Sequence, residues 1–287
     1  MKTDLGFWFK VKVLWPAAYR IRSLFIPQSV RKIPSGIAYD FEKAKRYWGN
    51  VPRAGGGSPF NTAALSEMTD ETLLSEIERE RDLSRKKPER AAGYDLAEKT
   101  LRGITSPAVL DYGSGIGFYG MEILRRRPDA RVIFADINPD NLKMIERIAR
   151  LKKWSSQVQC RHVKDAKAGD FETPEPFDFM ISMGVLHHTP FAADIVRRLR
   201  GHLKPGGFFE VMLYNPAFLK GMEGVAGKKL DASGFGLFTD PVAAGLENPF
   251  SEAYDEEKTV KLFEGFRLIE SMTPMPFYST YLFRKDV

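Results

Sequence analysis

From Ser106 onward, the sequence alternates short apolar runs with segments whose apolar residues recur at helical spacing. The apolar runs are PAVLDYG, RVIFADI, VQCRHVKDA, FDFMISMG and GGFFEVMLYN, and helical spacing is seen in FYGMEILRRRPDA and PDNLKMIERIARLKKW. This alternation predicts parallel strands joined by right-handed helical crossovers. Parallel strands covered on both faces can be apolar throughout. We therefore expect an α/β fold with a doubly wound, mostly parallel sheet and helices on both faces.

Two further regions precede this part of the chain. Residues 1–40 combine basic and aromatic side chains and are interrupted by three prolines. Residues 41–105 contain a glycine-rich turn, RAGGGSP, and then charged segments typical of helices, with Thr69 or Asp70 as the N-cap. We expect a basic aromatic arm at 1–40, a helical cap region at 41–105 and the α/β domain at 106–287.

The formal charge of +6 is concentrated in the arm. Residues 1–38 hold seven Lys or Arg and one Asp, and the acids and bases of the remaining chain balance. A neutral body disfavours a nucleic-acid partner, which usually requires a basic face. The arm itself suits peripheral contact with an anionic membrane, because basic and aromatic residues are both favoured there. Packing of its aromatic residues on the domain is the alternative.

Cysteine content and hydropathy bear on the compartment. Cys160 is the single cysteine, which excludes an internal disulfide and a cysteine-rich metal site. No uncharged apolar run reaches the 18 or so residues of a membrane span. Lys10 and Lys12 interrupt the stretch where a secretory signal would be apolar. We expect a cytoplasmic protein, peripheral at the membrane if the arm binds there, with no metal.

The stretch VLDYGSGIGFYG, residues 109–120, is typical of a nucleotide-binding loop. A P-loop would need Lys and then Ser or Thr after the last glycine, and a GxGxxG dinucleotide loop would need glycine at Phe118. Asp111 would repel a pyrophosphate at the start of the next helix. A carboxylate there suits a nucleoside with a cationic amine and no phosphate, and S-adenosylmethionine is such a ligand.

Acidic residues also follow the next two apolar runs. Asp136, in FADIN, is placed to accept hydrogen bonds from ribose hydroxyls. Asp165, in VKDA, is placed to accept from an adenine amine, and Ala166 offers a backbone N–H. An aspartate at a strand end is often only a turn residue or a helix cap. Three in succession, the first preceding GxGxG, favour a nucleoside site.

These stretches resemble the class I S-adenosylmethionine-dependent methyltransferases of the Rossmann-like, small-molecule type, over roughly residues 96–287. VLDYGSGIG is similar to their first motif, FADIN to the acidic second and KDA to the adenine-side motif. FDFMISMGVLHHTP and LKPGGFFEVMLYN are similar to their fourth and fifth strands. The resemblance implies a seven-stranded sheet whose last strand, FYSTYLFRK, runs antiparallel beside FRLIESM.

The same resemblance implies where the cofactor S-adenosyl-L-methionine binds. Asp111 and Gly113 would lie at its methionine end, and Asp136 at its ribose. Asp165 and Ala166 would lie at the adenine. The full set of implied cofactor-binding residues is Asp111, Gly113, Ser114, Gly115, Gly117, Asp136, Ile137, Asp165, Ala166, Ser182 and Met183.

Two histidines follow the fourth strand. His187 and His188 are candidate general bases for an acceptor proton, because an unperturbed imidazole titrates near neutral pH. Packing beside the cofactor is the alternative. Tyr214 and Asn215, which end the fifth strand, are candidates for orienting the acceptor.

The predicted class of methyl acceptor is limited chiefly by motifs that the sequence lacks. The D/N-P-P-Y/F run of enzymes that methylate base amines does not follow the fourth strand, and Cys160 lies in a predicted strand, where a thiol is inert. We predict methyl transfer to a small-molecule, lipid or glycan acceptor by in-line attack on the sulfonium methyl, with residues 215–252 as an acceptor lid or an ordinary surface excursion. A catalytically inactive cofactor-binding protein and an NAD-dependent oxidoreductase are the alternatives.

Overall fold

The computed structural model describes residues 39–50, 53–55, 58–60, 62–173, 175–226, 229, 235–237 and 248–287. Residues 1–38 of the predicted arm and most of the middle of the predicted lid lie outside these residues. Among the helices that are described, none combines the length and the apolar character needed to cross a membrane.

Seven strands form the central sheet, in the spatial order β10-β11-β7-β6-β3-β4-β5. They are β3 (Ala108–Tyr112), β4 (Arg131–Asp136), β5 (Val158–His162), β6 (Phe177–Met183), β7 (Leu203–Tyr214), β10 (Phe266–Met275) and β11 (Tyr278–Lys285). Strands β3 to β7 pair in parallel, and β11 is antiparallel to both of its neighbours, β7 and β10. The predicted α/β architecture, with its antiparallel last strand, is confirmed.

The described helices are α1 (Phe41–Asn50), α2 (Thr62–Ser66), α3 (Asp70–Arg85), α4 (Pro88–Leu101), α5 (Phe118–Arg126), α6 (Pro139–Leu151), α7 (Ala192–Gly201), α8 (Pro216–Ala226) and α9 (Glu256–Leu262). Thr69 caps α3, because its side chain accepts a hydrogen bond from the Thr72 backbone N–H. Of the two predicted caps, Thr69 is therefore the one used, and Asp70 is the first residue of the helix.

Both faces of the sheet are buried, which explains the apolar character of its strands. All five residues of β3 are buried, and its four apolar residues are divided between two hydrophobic clusters on opposite faces of the sheet. Val109 and Phe134 belong to the cluster that packs against α3, α4, α5 and α6. Leu110 and Phe209 belong to the cluster that packs against α7. Where both faces of such a sheet are covered, ligands bind at the carboxyl ends of its strands.

Two small sheets were not expected from the sequence. β1 (Arg53–Gly55) and β2 (Ser58–Phe60) form a hairpin on either side of the predicted glycine-rich turn. β8 (Phe235–Leu237) pairs with β9 (Asn248–Ser251) within the predicted lid. Strands of three or four residues are too short for an alternating pattern to be recognised.

Candidate active site

A cavity of about 440 Å³ lies at the carboxyl ends of β3, β4, β6 and β7, where parallel sheets hold their ligands. Most of the predicted site residues line it, namely Asp111, Gly113, Ser114, Asp136, Ile137, Asp165, Ala166, Met183, His187 and His188. Gly115, Gly117 and Ser182 do not line this cavity. The two glycines contribute instead to the shape of the loop, and Ser182 is fully buried in β6.

The loop between β3 and α5 needs glycine at alternate positions. Gly113, Gly115 and Gly117 have φ angles of 70°, 56° and 83°, in the left-handed region that other residues rarely adopt. A Cβ atom added to Gly113 would lie 2.4 Å from a Val185 methyl carbon. This loop is therefore held tightly against the segment that follows β6.

Asp111 combines a structural contact with a place on the cavity wall. It is buried, and its Oδ2 accepts a hydrogen bond from the Gly120 backbone N–H at 2.9 Å. An acid is favourable at this end of α5, where backbone N–H groups carry a partial positive charge. The carboxylate therefore also orders the first turn of the helix that follows the glycine loop.

Asp136 joins the glycine loop to the start of α6. Its Oδ2 accepts from the Gly115 N–H at 2.7 Å, and its Oδ1 accepts from the Asn138 N–H at 2.8 Å and from Asn141 Nδ2 at 3.2 Å. A carboxylate offers about four acceptor positions. The protein therefore occupies most of them and fixes the orientation of this side chain without a ligand.

Asp165 lies in a turn beyond the end of its strand. β5 ends at His162, and the two carboxylate oxygens of Asp165 accept from the Lys167 and Gly169 backbone N–H groups at 3.0 and 2.9 Å. The sequence predicts Asp165 at the end of the third strand, and this prediction is wrong, because the strand ends three residues earlier. The local geometry is that of an aspartate turn, although Asp165 and Ala166 both line the cavity.

The two histidines lie in a short 3-10 helix, Leu186–His188, and both are buried. His187 Nδ1 accepts a hydrogen bond from the Tyr214 backbone N–H at 3.4 Å. Burial lowers the pKa of His187 well below its usual value, with a further lowering from His188 and an opposing hydrogen bond to the Met212 backbone. His187 is therefore neutral, and backbone groups hold its ring.

His188 is held by the end of the predicted lid. Its Nδ1 lies 3.2 Å from the Phe250 carbonyl oxygen and 3.1 Å from Ser251 Oγ, and these contacts fix the orientation of the ring. Burial lowers the pKa of His188 to about 3. A base this weak binds a proton poorly at neutral pH. The predicted role of either histidine in proton transfer stays a prediction.

A continuous series of rings runs beside the strand ends, and we call it the aromatic wall: Trp48, His188, His187, Tyr214 and Phe218. Successive ring centroids are 4.6, 4.2, 3.8 and 3.8 Å apart, and the last pair is stacked within 8°. All but Phe218 line the cavity. Such a wall offers flat apolar surface to a planar ligand.

The helical region 41–105 contributes more to the cavity than its sequence indicated. Trp48 comes from α1, and Glu80, Ser84, Lys87 and Arg90 come from the end of α3 and the start of α4. Charged residues on charged helices are usually solvated, and no local pattern separates these from their neighbours. Only the packing of the helices against the sheet brings them to the cavity.

Two other predicted residues lie outside this cavity's lining. The Asn215 side chain accepts from the Ala217 and Phe218 backbone N–H groups, so it caps α8 instead of facing an acceptor. Cys160 lies in β5, and burial raises its pKa to about 12, as expected of an inert thiol. Among the described residues, no group of His, Cys, Asp or Glu is arranged to hold a metal ion.

Comparison with known families identifies the sheet and its loops. A family described as "Methyltransferase domain" matches residues 110–209, which run from β3 to β7 and include the glycine loop and both histidines. Residues 110–209 therefore match a methyltransferase domain. This matched segment holds most of the predicted site residues.

Solved structures share the fold of this methyltransferase domain. An S-adenosylmethionine-dependent methyltransferase from Clostridium acetobutylicum ATCC 824 is 15% identical, with a TM-score of 0.53 over 68% of this chain and 91% of that one. The 1,6-didemethyltoxoflavin-N1-methyltransferase of Burkholderia thailandensis, solved with 1,6-didemethyltoxoflavin and S-adenosylhomocysteine, is 17% identical, with a TM-score of 0.50 over 82% and 93%. At these identities the likeness shows the fold.

A curated relative is much longer than this chain. The highly reducing polyketide synthase easB of Emericella nidulans is 30% identical over 160 residues, which are 53% of this chain. The match spans about 6% of the length of that protein. The likeness therefore concerns a small part of that protein.

Proposed function

We propose that this protein transfers a methyl group from S-adenosylmethionine to a small, planar acceptor by in-line attack on the sulfonium methyl. The observation that supports it most is the shared cavity: one space of about 440 Å³ is lined both by the predicted cofactor residues and by most of the aromatic wall. A volume of this size is within the usual range of small-molecule sites.

The chemistry of the donor set fits the cofactor. Asp111 and the glycine loop would hold its methionine end, Asp136 its ribose, and Asp165 with Ala166 its adenine. Acids next to the loop suit a ligand with a cationic amine and no phosphate, as the sequence indicated. When bound, the cofactor supplies an electrophilic methyl carbon on a positively charged sulfur. The protein has chiefly to position the acceptor and take its proton.

The aromatic wall favours an acceptor with a flat ring. Stacked and edge-on ring pairs contribute about 0.5–1.5 kcal/mol beyond the apolar area they bury. The Burkholderia thailandensis neighbour was solved with 1,6-didemethyltoxoflavin bound, which supports a small-molecule acceptor. Acceptors without a ring, such as a glycan or a lipid headgroup, would use the wall less well and stay as alternatives.

The histidines and the flanking regions have supporting roles in this proposal. His187 and His188 shape the acceptor end of the cavity as members of the aromatic wall. The cap region 41–105 covers the cavity through α1, α3 and α4. Segment 215–252 acts as a lid whose two described ends, at Phe218 and at Phe250, already reach the wall.

Membrane contact through residues 1–38 stays a prediction, because the arm lies outside the described residues. Co-sedimentation with anionic and neutral vesicles, for the full chain and for a chain that begins at Ala38, tests it. Stronger binding of the full chain to anionic vesicles at low salt would support the contact, and equal binding would contradict it.

Calorimetry with S-adenosylhomocysteine and NAD tests the function first. We expect micromolar binding of the former and none of NAD, and the reverse would overturn the proposal in favour of an oxidoreductase. Turnover is then measured by mass spectrometry with S-adenosylmethionine and a panel of phenols, N-heterocycles including 1,6-didemethyltoxoflavin, glycans and lipids. Methylation of ring compounds supports the planar acceptor, whereas cofactor binding without any turnover supports an inactive cofactor-binding protein.

A further inference from the structure

Glu210 is a carboxyl group in the middle of the core. It lies on β7, none of its side chain reaches solvent, and neither carboxyl oxygen accepts a hydrogen bond from any described residue. A buried polar group without a partner costs about 1–3 kcal/mol, and more when it is charged. An apolar residue at this position of the strand would avoid that cost.

Its position in the sheet places Glu210 directly beneath the cavity. Side chains two residues apart on a strand share a face, so Glu210 and Met212 point the same way. Met212 and its β6 partner Met183 both line the cavity. Glu210 pairs in turn with Ile181 on β6 and Leu282 on β11, one row deeper.

Tyr119 connects this deeper row to the cavity. It belongs to α5 and lines the cavity. Its hydroxyl oxygen and Glu210 Oε1 both lie 2.8 Å from the point where a Cβ atom at Gly93 would stand. The missing side chain of Gly93 therefore leaves the space in which the hydroxyl and the carboxyl approach each other. A small rotation of either side chain, or a single bridging water, would join them.

Methyl transfer to an O–H or N–H group releases a proton that the cavity residues are poorly suited to take. Backbone groups hold the His187 ring, and His188 is a very weak base. The carboxylates of Asp136 and Asp165 already accept hydrogen bonds from backbone N–H groups. Asp111 likewise accepts from the Gly120 N–H, and Glu80, which also lines the cavity, is ion-paired with Arg79 at 3.0 Å. No described residue donates a hydrogen bond to the deeper carboxyl of Glu210.

We propose that Glu210 is the final acceptor of the proton released by methyl transfer, acting through the hydroxyl of Tyr119. This rests on the proposed function. The acceptor atom forms a bond to the methyl carbon while the sulfur–carbon bond breaks and leaves its electron pair on sulfur. The acceptor proton passes to the Tyr119 oxygen as the hydroxyl proton of Tyr119 passes to the Glu210 carboxylate. After product leaves, Glu210 returns the proton to solvent by the same route.

The groups that face this pair suit such a transfer. Burial raises the pKa of Glu210 well above its usual value, with a smaller contribution from Glu270 on β10, and this brings its proton affinity nearer to neutrality. Arg90 on α4 lies 5.3 Å from the centre of the Tyr119 ring, where a cation favours negative charge on that residue. Tyr94, also on α4, packs against the same ring.

Infrared titration of the full chain tests whether the pair exists, with no acceptor needed. We expect a protonated-carboxyl band that disappears in Glu210→Gln. In Tyr119→Phe its midpoint should move to higher pH, because the carboxylate loses a hydrogen-bond donor. Glu270→Gln is the matched control: it removes a like charge and should move the midpoint slightly to lower pH. An unchanged midpoint in Tyr119→Phe would overturn the proposal.

Turnover provides the second readout, with any phenol or N-heterocycle of the panel that is methylated. For the wild type we expect kcat to rise with pH up to the infrared midpoint. Glu210→Gln should lose this rise and lower kcat by on the order of 100-fold, with KM and S-adenosylhomocysteine affinity retained. A Glu210→Gln variant that keeps kcat and its pH profile would refute the proposal. A panel without any turnover would count against the proposed function alone, since the infrared result does not depend on it.

Discussion

The two sides of the cavity are built in different ways. The side proposed to hold the cofactor comes from the carboxyl ends of β3 and β4 and from the loops that follow β3, β4 and β5, and backbone N–H groups hold its carboxylates in place. The acceptor side is the aromatic wall, which collects rings from α1, the 3-10 helix, β7 and α8. Local sequence and parallel topology are thus sufficient for the first side, whereas the second depends on how distant elements pack.

Gly113→Val should have the largest effect and should be confined to the cofactor side. A β-branched residue at φ 70° is strained, and its Cβ would meet Val185. Together these effects should weaken S-adenosylhomocysteine binding by at least roughly 100-fold. Calorimetry measures the affinity, and circular dichroism should show a retained fold. Gly103→Ala, at a glycine with nothing nearby, is the control. Micromolar affinity in Gly113→Val would exclude this loop from the site.

Asp136→Ala should have the next largest effect. The substitution removes the acceptor for ribose hydroxyls and also the contacts to Gly115 and Asn138 that order the loop. We expect binding of S-adenosylhomocysteine to weaken by about 1–3 kcal/mol, measured by calorimetry. Asp140→Ala, at an exposed acid of α6, should leave affinity unchanged. Equal affinities for both variants would remove Asp136 from the cofactor side.

Glu210→Gln should change the free energy of unfolding by an amount that depends on pH. This effect belongs to the core beneath the cavity and to neither of its two sides. The pKa of Glu210 is raised in the folded state, so the unfolded chain releases the proton first and wild-type stability falls as pH rises above the unfolded value of about 4.3. The variant should therefore gain stability over the wild type by on the order of 1–3 kcal/mol near neutrality and less in acid. Urea unfolding across this pH range measures it, and a constant difference would contradict the buried, unpaired state of the carboxyl.

Trp48→Ala should separate the two sides most directly. Loss of this ring removes contact with His188 and exposes one end of the aromatic wall. The KM for a ring acceptor should rise by about 3- to 10-fold, while S-adenosylhomocysteine affinity should stay the same. Trp154→Ala, at a half-buried tryptophan packed on the core outside the cavity lining, is the matched control. If Trp48→Ala weakened the binding of the ring acceptor and of S-adenosylhomocysteine equally, the two sides of the cavity would not be independent.

His188→Asn should have the smallest effect on turnover. The Asn amide can replace Nδ1 as a donor to the Phe250 carbonyl, so a packing role predicts less than about a tenfold loss, against 10²–10⁴-fold for a general base. The pKa of His188 is about 3 in the folded state, whereas that of an unperturbed histidine is about 6.5. The unfolded chain therefore binds a proton first as the pH falls below about 6.5, and the folded state loses stability. The variant lacks this group and should unfold less readily in acid. His202→Asn is the control for turnover. A loss beyond 100-fold would restore His188 as the base.

Prediction from the sequence succeeded where the determinants are local. The apolar runs of the sheet and the Thr69 cap both follow from residues within a few positions of one another. It failed for the short strands β8 and β9 and for the extent of β5, because Asp165 closes a turn with Lys167 and Gly169. An aspartate can cap a turn or face a ligand. The outcome depends on which backbone N–H groups lie nearby, and the local sequence pattern does not specify them.

Periodicity and motif spacing were enough to predict the α/β fold, the match to a methyltransferase domain and the loops that are proposed to hold the cofactor. They are local signals, and parallel topology then brings successive strand ends together. The aromatic wall, the placement of Trp48 against His188, and the unpaired carboxyl of Glu210 beside Tyr119 emerged only from the packed molecule. Contacts between elements far apart in the chain arise from the packing of whole faces, and no short stretch of sequence encodes which side chains meet there.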